Sequence, residues 1–195
     1  MWHNQGVDTG DQERRGRRRR ERPPLGAEAL NELALAYVSR FATTRVRLLQ
    51  YLRRKLAERG WAGEEQPPLE ALADRLVELG YVDDAAFAMS KSRSLSARGY
   101  GARRLDQALR AAGVGEDDSS EARTVAEEAA AEAALRFARR KRLGPFAMVR
   151  PDPKTREKAL AAMIRAGHGF TLARAIVDAL PGQELSPKQL VEDGL

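Results

Sequence analysis

The sequence contains no cysteine, only two histidines and few aromatic residues, which make up 6% of its 195 residues. Without cysteine the chain forms no disulfide bond and offers no thiolate metal ligand. Neither His3 nor His168 has a carboxylate partner at helical spacing, which argues against a zinc site. No stretch approaches the roughly 18 consecutive apolar residues of a membrane span, and the first residues are polar. We therefore expect a cytoplasmic protein that makes no membrane contact.

Sequence motifs for catalysis are also missing. There is no P-loop and no dinucleotide-binding fingerprint, and the glycine pair in Gly99-Tyr100-Gly101 follows a predicted helix rather than a strand. The carboxylate pair Asp83-Asp84 is better explained as a helix cap than as a metal site. His168 is most simply a loop residue beside a helix end. The sequence therefore predicts no enzyme, no metal site and no cofactor.

Glycines recur along the chain at a long and regular interval. Gly60, Gly113 and Gly167 are 53 and 54 residues apart, and each follows apolar residues at four-residue spacing. Those apolar positions are Leu52 and Leu56, Leu105 and Leu109, and Ala159 and Met163. Apolar residues at this spacing, followed by glycine, predict a helix that ends at a glycine in the left-handed backbone conformation. Its recurrence predicts stacked structural repeats.

Nearly the whole chain after residue 26 is predicted to be helical, and no segment has the alternating pattern of a strand. We expect an all-α protein, an elongated, curved array of three tandem three-helix repeats with about nine helices. The expected divisions are a disordered arginine-rich tail over residues 1–26, repeats over 27–82, 83–129 and 130–182, and a C-terminal tail over 183–195.

Capping residues predict where several helices begin. The predicted caps are Thr43 or Thr44, Asp83 with Asp84, residues 117–120, Asp152, and Ser186 before a short terminal turn. The first helix is expected over residues 27–42. The stretch after residues 117–120 runs to Arg142 and is either one helix or two. In the ninth helix, over residues 170–180, the side chains predicted to point inward are Leu172, Ile176 and Leu180.

The chain is basic, with a net charge of +6 and a pI near 10.0. A strongly basic chain suggests a polyanionic partner. Half of the excess lies in residues 1–24, where seven arginines outnumber four acidic residues. The rest of the chain is only mildly basic, so charge alone does not identify a nucleic-acid-binding protein.

Basic side chains on three predicted helical segments form the candidate binding surface. Arg47 and Arg54 are seven residues apart and therefore lie on one side of their helix. Taken singly, each arginine is more simply a solvated residue or a complement to a helix dipole. The cluster from Arg93 to Arg104, around a flexible glycine pair, is expected to bind carboxylates or phosphates. The candidate contacts with a filament or with DNA are Arg47, Arg53, Arg54, Lys91, Arg93, Arg98, Arg103, Arg104, Arg139, Arg140 and Lys141.

Residues 80–114 carry an ordered set of motifs: Gly80-Tyr81-Val82-Asp83-Asp84, Phe87-Ala88, Arg93, Gly99-Tyr100-Gly101, Leu105, Leu109 and Gly113-Val114. In order and spacing this set resembles the central repeat of the RecX family of RecA regulators. The resemblance extends over about residues 30–180. Arg53-Arg54-Lys55-Leu56 resembles the first repeat of that family, and residues 137–141 resemble the entry to the third. The alanine-rich composition and residues 90–93 resemble an alphaproteobacterial branch.

Two features depart from the family pattern. Residues 165–170 read Arg-Ala-Gly-His-Gly-Phe, where the family more often has a basic pair, glycine and an aromatic residue in direct succession. The arginine-rich tail is outside the shared pattern.

The resemblance implies a non-enzymatic regulator in DNA repair, recombination and the SOS response. Such proteins bind the RecA–single-stranded DNA filament along its groove and suppress its growth, ATPase, strand exchange and coprotease activities. The implied partners are the RecA filament and, as a further option, single- or double-stranded DNA, and we expect a monomer. The alternative is a stand-alone helical nucleic-acid-binding protein that uses its basic tail and arginine faces.

Overall fold

The computed structural model describes residues 23–192, which are helical almost throughout and contain no strand. The ten α-helices are α1 (Ala27–Val38), α2 (Arg45–Arg59), α3 (Leu69–Glu78), α4 (Asp84–Ala97), α5 (Ala102–Arg110), α6 (Glu116–Glu128), α7 (Ala130–Lys141), α8 (Pro153–Arg165), α9 (Phe170–Asp178) and α10 (Pro187–Glu192). A single 3-10 turn spans Gly144–Phe146. The predicted all-α class is confirmed. The predicted disordered tail lies outside the described residues, apart from its last four positions.

Buried apolar side chains form three clusters that follow one another along the chain. The first lies between Leu25 and Val82 in α1–α3, and the second between Ala88 and Ala126 in α4–α6. The third runs from Ala131 to Leu190 and joins α7, α8, α9 and α10. An array of helical units is therefore confirmed. The third cluster continues past residue 182, because Leu190 of α10 is buried in it; the domain limits themselves stay a prediction.

Local signals predicted three helix starts and failed at the start of α6. Thr44, Asp83 and Asp152 cap α2, α4 and α8 through their side chains. Residues 117–120 do not cap α6: they lie inside its first turns, after Gly115, where acidic side chains complement the helix dipole. The stretch to Arg142 is two helices that meet at Ala129.

Two predicted helix ends were too late. The first helix ends at Val38 rather than at residue 42. Leu180 is 52% exposed rather than inward, because α9 ends at Asp178 and the chain becomes extended at Ala179. The predicted terminal turn is a helix, α10, so residues 23–192 contain ten α-helices where about nine were expected.

The start of α2 is held against the end of α5. The Thr44 hydroxyl donates a buried hydrogen bond of 2.5 Å to the carbonyl of Ala112, just after α5. The amide of Arg45 donates to Asp84 Oδ1 at 2.9 Å. Gly113 has φ +73°, and a Cβ added there would lie 2.5 Å from the Cβ of Val46. Glycine at this position therefore allows both the turn and the close approach of the two helices.

The start of α5 is held in the same way against the end of α8. The amide of Gly101 donates to the carbonyl of Ala166 at 3.0 Å, and the amide of Arg103 donates to the carbonyl of Gly167 at 3.2 Å. Any Cβ at Gly101 would collide with the backbone of Gly167. The glycine pair predicted to be flexible is thus part of a packed joint, and that prediction was wrong. Glycine here provides room for a neighbouring chain segment rather than mobility.

We call the contact of the α2 start with the α5 end the first joint, and the contact of the α5 start with the α8 end the second joint. Together they connect α2, α5 and α8, the middle helices of the three units, end to end. In each joint, carbonyl groups at the end of the later helix accept hydrogen bonds from donors at the start of the earlier helix. Both ends have backbone groups that find no partner within their own helix. Hydrogen bonds between units pair these backbone groups, and the units therefore follow one another in an elongated array.

We expect Gly113→Ala to lower the free energy of unfolding more than Gly80→Ala does. Both glycines have nearly equal positive φ, +73° and +74°, so alanine costs about 1–2 kcal/mol of backbone strain in each. Gly80 has open space around it, whereas Gly113 faces Val46 and adds about 1–3 kcal/mol of overpacking. Urea denaturation of the two variants measures the difference, and equal values would show that the joint tolerates the extra methyl group.

Leu105→Ala and Leu109→Ala should each lower the free energy of unfolding by about 2–5 kcal/mol. Both side chains are almost fully buried in the second cluster, 1% and 0% exposed. Truncation would leave a cavity in a core that is otherwise rich in alanine. Denaturant titration followed by circular dichroism measures the loss, and a change below 1 kcal/mol would mean that the site collapses to fill the space.

Candidate functional site

At the first joint a phenylalanine ring lies between two cations from different units. The guanidinium carbon of Arg47, on α2, is 5.3 Å from the ring centre of Phe87, and Lys91 Nζ is 5.7 Å from it. All three side chains are half-buried. Because a cation near an aromatic ring is attracted to the electrons of the ring face, the ring fixes two positive charges that lie 44 residues apart in sequence.

At the second joint a tyrosine ring is placed in the same way. Tyr100 follows α4, and its ring centre is 5.3 Å from the guanidinium carbon of Arg98 and 5.8 Å from that of Arg140 on α7. Arg140 also donates a hydrogen bond to the carbonyl of Arg98, and Arg136 donates one of 3.1 Å to the carbonyl of Ser96. These two α7 arginines therefore satisfy carbonyl groups at the end of α4, as cations near a helix C-terminus commonly do.

Helix α4 connects the two rings along one side. Phe87, Lys91 and Arg98 are four and seven residues apart, so all three lie within a narrow stripe. At 1.5 Å per residue, the stripe from Phe87 to Arg98 is about 17 Å long. We call this stripe, with its neighbours from the other units, the α4 surface; it consists of Arg47, Phe87, Lys91, Arg98, Tyr100 and Arg140.

The predicted basic residues separate into two groups by their ion pairing. On α2, Arg53 bonds Glu70 at 2.7 Å, and Arg54 lies 3.8 Å from Glu58. The hydrogen bond from Arg53 lowers the pKa of Glu70 below its usual value. By contrast, the four cations of the α4 surface have no carboxylate within ion-pair distance among residues 23–192. Their charge is available to an external anion.

The other predicted basic residues are exposed around this surface. Arg103 and Arg104 begin α5, and Arg104 contacts Gln107 at 3.5 Å. Arg93 is two residues from Lys91 and therefore points away from the α4 stripe. Arg139 lies 5.0 Å from the ring centre of Phe146. Lys141, at the end of α7, is exposed.

Sequence reasoning missed the aromatic partners of these cations. Phe87, Phe137 and Phe146 each lie beside a predicted basic residue, and Arg136 joins the same group. The i, i+4 spacing of Phe87 and Lys91 and the i, i+3 spacing of Phe137 and Arg140 were visible in the sequence. The pairs Arg47–Phe87 and Arg140–Tyr100 depend on contacts between units.

Comparison with known proteins identifies the family. Residues 83–122 match the family model described as RecX, second three-helix domain. Regulatory protein RecX of Myxococcus xanthus is 37% identical over 163 residues, which cover 78% of this chain and 86% of that protein. The chain belongs to the RecX family. Regulatory protein RecX of Thermus thermophilus is 36% identical over 143 residues, 73% of this chain and 87% of that protein. The resemblance to RecX seen in the sequence is confirmed, and the alphaproteobacterial branch stays a prediction.

Solved RecX structures share the fold of this chain. The crystal structure of RecX from Lactobacillus salivarius superimposes with a TM-score of 0.56 at 16% identity, covering 77% of this chain and 94% of that one. A crystal structure described as regulatory protein RecX superimposes with a TM-score of 0.57 at 23% identity. The match covers 78% of this chain and 71% of that one. At these identities the likeness concerns the fold alone.

In this RecX-family chain the departure from the family pattern, His168, lies inside the second joint. It follows α8 as predicted, but it is buried, with 2% of its surface exposed. Its Nε2 is 3.2 Å from the carbonyl oxygen of Gly99, and its ring centre is 5.6 Å from that of Phe137. Because a carbonyl only accepts, Nε2 carries the proton. Nδ1 is buried with no hydrogen-bond partner among the described residues.

Two features are absent from residues 23–192. In that part of the chain no three histidine, aspartate or glutamate side chains are grouped so that they could hold a metal ion. None of its helices combines the length and the apolar character needed to cross a membrane.

The stability of the RecX-family chain should fall between pH 6.5 and pH 4 because of His168. Burial lowers the pKa of His168 from 6.5 to about 4, although the hydrogen bond to Gly99 opposes the shift. In this window the unfolded chain binds a proton that the folded chain does not, so unfolding becomes easier as pH falls. The full loss is on the order of 3 kcal/mol.

The control for this prediction is His168→Gln, whose amide can still donate to Gly99 but does not titrate. Urea denaturation across the same pH range should give a flatter curve for the variant than for the wild-type chain. Parallel curves would show that His168 titrates normally in the folded state.

Proposed function

We propose that this chain is a non-enzymatic regulator that binds the RecA–single-stranded DNA filament and inhibits its growth, ATPase, strand exchange and coprotease activities. Two facts support the proposal. The chain belongs to the RecX family, whose characterised relatives are named regulatory protein RecX. Its elongated array also has a basic surface suited to a polyanionic polymer, as helical arrays commonly form extended binding surfaces.

The observation that carries the proposal is the composition of the α4 surface. Arg47, Lys91 with Arg98, and Arg140 come from α2, α4 and α7, which belong to three consecutive units. These side chains lie along one surface only because the two joints hold those units together. A ligand that spans them is therefore longer than one unit, as a filament is. Positive charges without carboxylate partners in the described part of the chain also speed encounter with a polyanion.

Inhibition requires that binding favour one state of the filament over another. A ligand with equal affinity for growing and blocked filaments would shift nothing, however tightly it bound. If the chain caps filament ends, inhibition should occur at substoichiometric protein. If it lines the groove, inhibition should need nearly one chain per binding site along the polymer.

The test is RecA-dependent ATP hydrolysis on single-stranded DNA with increasing amounts of this chain. The wild-type chain should inhibit it, and the triple variant Lys91→Ala, Arg98→Ala, Arg140→Ala should need about tenfold more protein, the equivalent of one lost charge-assisted contact. Arg98 and Arg140 are exposed and Lys91 is half-buried, so the helical circular dichroism spectrum should not change.

The matched control removes three exposed cations elsewhere: Arg75→Ala, Lys154→Ala, Lys158→Ala. It has the same net charge as the test variant and should inhibit like the wild-type chain. Equal potency of both variants would show that only overall charge matters. A wild-type chain that leaves ATP hydrolysis and strand exchange unchanged at every ratio would overturn the proposal. If it also bound naked DNA with a steep salt dependence, it would be the stand-alone nucleic-acid-binding protein.

A further inference from the structure

We infer that the α4 surface contacts the single DNA strand directly, through nucleobases stacked at its two aromatic sites and phosphates bound by its four cations. This inference rests on the proposed function, and it names the component of the filament that the surface meets. The first observation behind it is the pairing of ring and cation at both joints, with Phe87 at one end of α4 and Tyr100 at the other.

The second observation is that each ring packs against an apolar cluster without being buried in it, and has two cations beside it. Phe87 and Tyr100 are half-buried and belong to the margin of the second cluster, not to its buried members. The guanidinium carbons of Arg98 and Arg140 lie 5.3 and 5.8 Å from the centre of the Tyr100 ring, and both arginine and aromatic side chains are groups on which unpaired bases stack. Proteins that bind single strands combine such stacking platforms with a basic track for the backbone.

The third observation is the length of the surface. About 17 Å of helix separates Phe87 from Arg98, which exceeds the span of a single phosphate or carboxylate. Between the two ends lies Lys91, a point charge on the same stripe. An acidic protein surface would pair with the cations alone and would make no use of the partly exposed rings beside them. A strand that offers bases and phosphates in alternation uses both.

The decisive experiment is photo-crosslinking of the full-length chain, without RecA, to a dT20 oligonucleotide that contains 5-iodouracil. Mass spectrometry should locate crosslinks at Phe87 and Tyr100. Tyr81 serves as the internal control, because it is 53% exposed and has no ring or cation against it among the described residues. Crosslinks confined to other positions, or none at all, would overturn the inference without requiring any variant.

Binding of fluorescein-labelled dT20, measured by anisotropy over a range of salt concentrations, gives a second readout. Phe87→Leu and Tyr100→Leu keep apolar packing and should each weaken binding about 5- to 150-fold if one base stacks at each ring. Tyr81→Leu should bind like the wild-type chain. The double variant Lys91→Gln, Arg98→Gln should lower the slope of log K against log salt by about 1.4, or 0.7 for each lost phosphate contact.

The outcomes separate this inference from the proposed function. If the ring variants bind dT20 normally but no longer inhibit RecA ATP hydrolysis, the α4 surface contacts RecA itself; the inference fails and the proposed function stands. If they bind dT20 weakly and inhibit RecA as well as the wild-type chain, the DNA contact stands, but the α4 surface is not the inhibitory one. A wild-type chain that binds dT20 and never inhibits RecA would remove the proposed function alone.

Discussion

The ends of a helix leave backbone donors and acceptors that the helix itself cannot pair, and this chain pairs them between units. Carbonyl groups at the end of α8 accept from amides at the start of α5, and the carbonyl of Ala112 after α5 accepts from Thr44 at the start of α2. Leaving these groups unpaired in a buried joint would cost free energy at every one of them. The elongated arrangement of the units therefore depends on these few hydrogen bonds as much as on the three apolar clusters.

Glycine meets two demands at these joints at once. Gly113 and Gly167 both have positive φ, and a Cβ on either would lie 2.5 Å from an atom of the adjoining unit. Gly60 shares the positive φ but ends α2 within the first unit, where its carbonyl accepts from the amide of Leu25 at 3.0 Å. The regular glycine interval in the sequence thus reflects a repeated way of ending a helix, and at two of the three positions it also reflects close contact between units.

The α4 surface is a consequence of the same joints. Its aromatic rings lie where one unit contacts the next, and each ring has a cation from the neighbouring unit beside it. The cations of α2 that lie farther from the joints, such as Arg53, are paired with carboxylates instead. Ion pairs at an exposed surface contribute little stability, so their main effect is to lower the charge available there. The cations beside the two rings keep their positive charge, and they lie where a long polyanionic partner would cross from unit to unit.

The amino-acid sequence was enough to predict the all-α class, the helix starts at Thr43 or Thr44, at Asp83 and at Asp152, the repeating glycines and the resemblance to RecX. These are local signals, because a capping residue and regularly spaced apolar residues are recognised within a few positions of the chain. The packed joint at Gly101 and the position of Arg140 beside Tyr100 became visible in the folded structure, because their partners lie 40 residues or more away along the chain. Leu180 points outward because α9 ends at Asp178, before that position is reached.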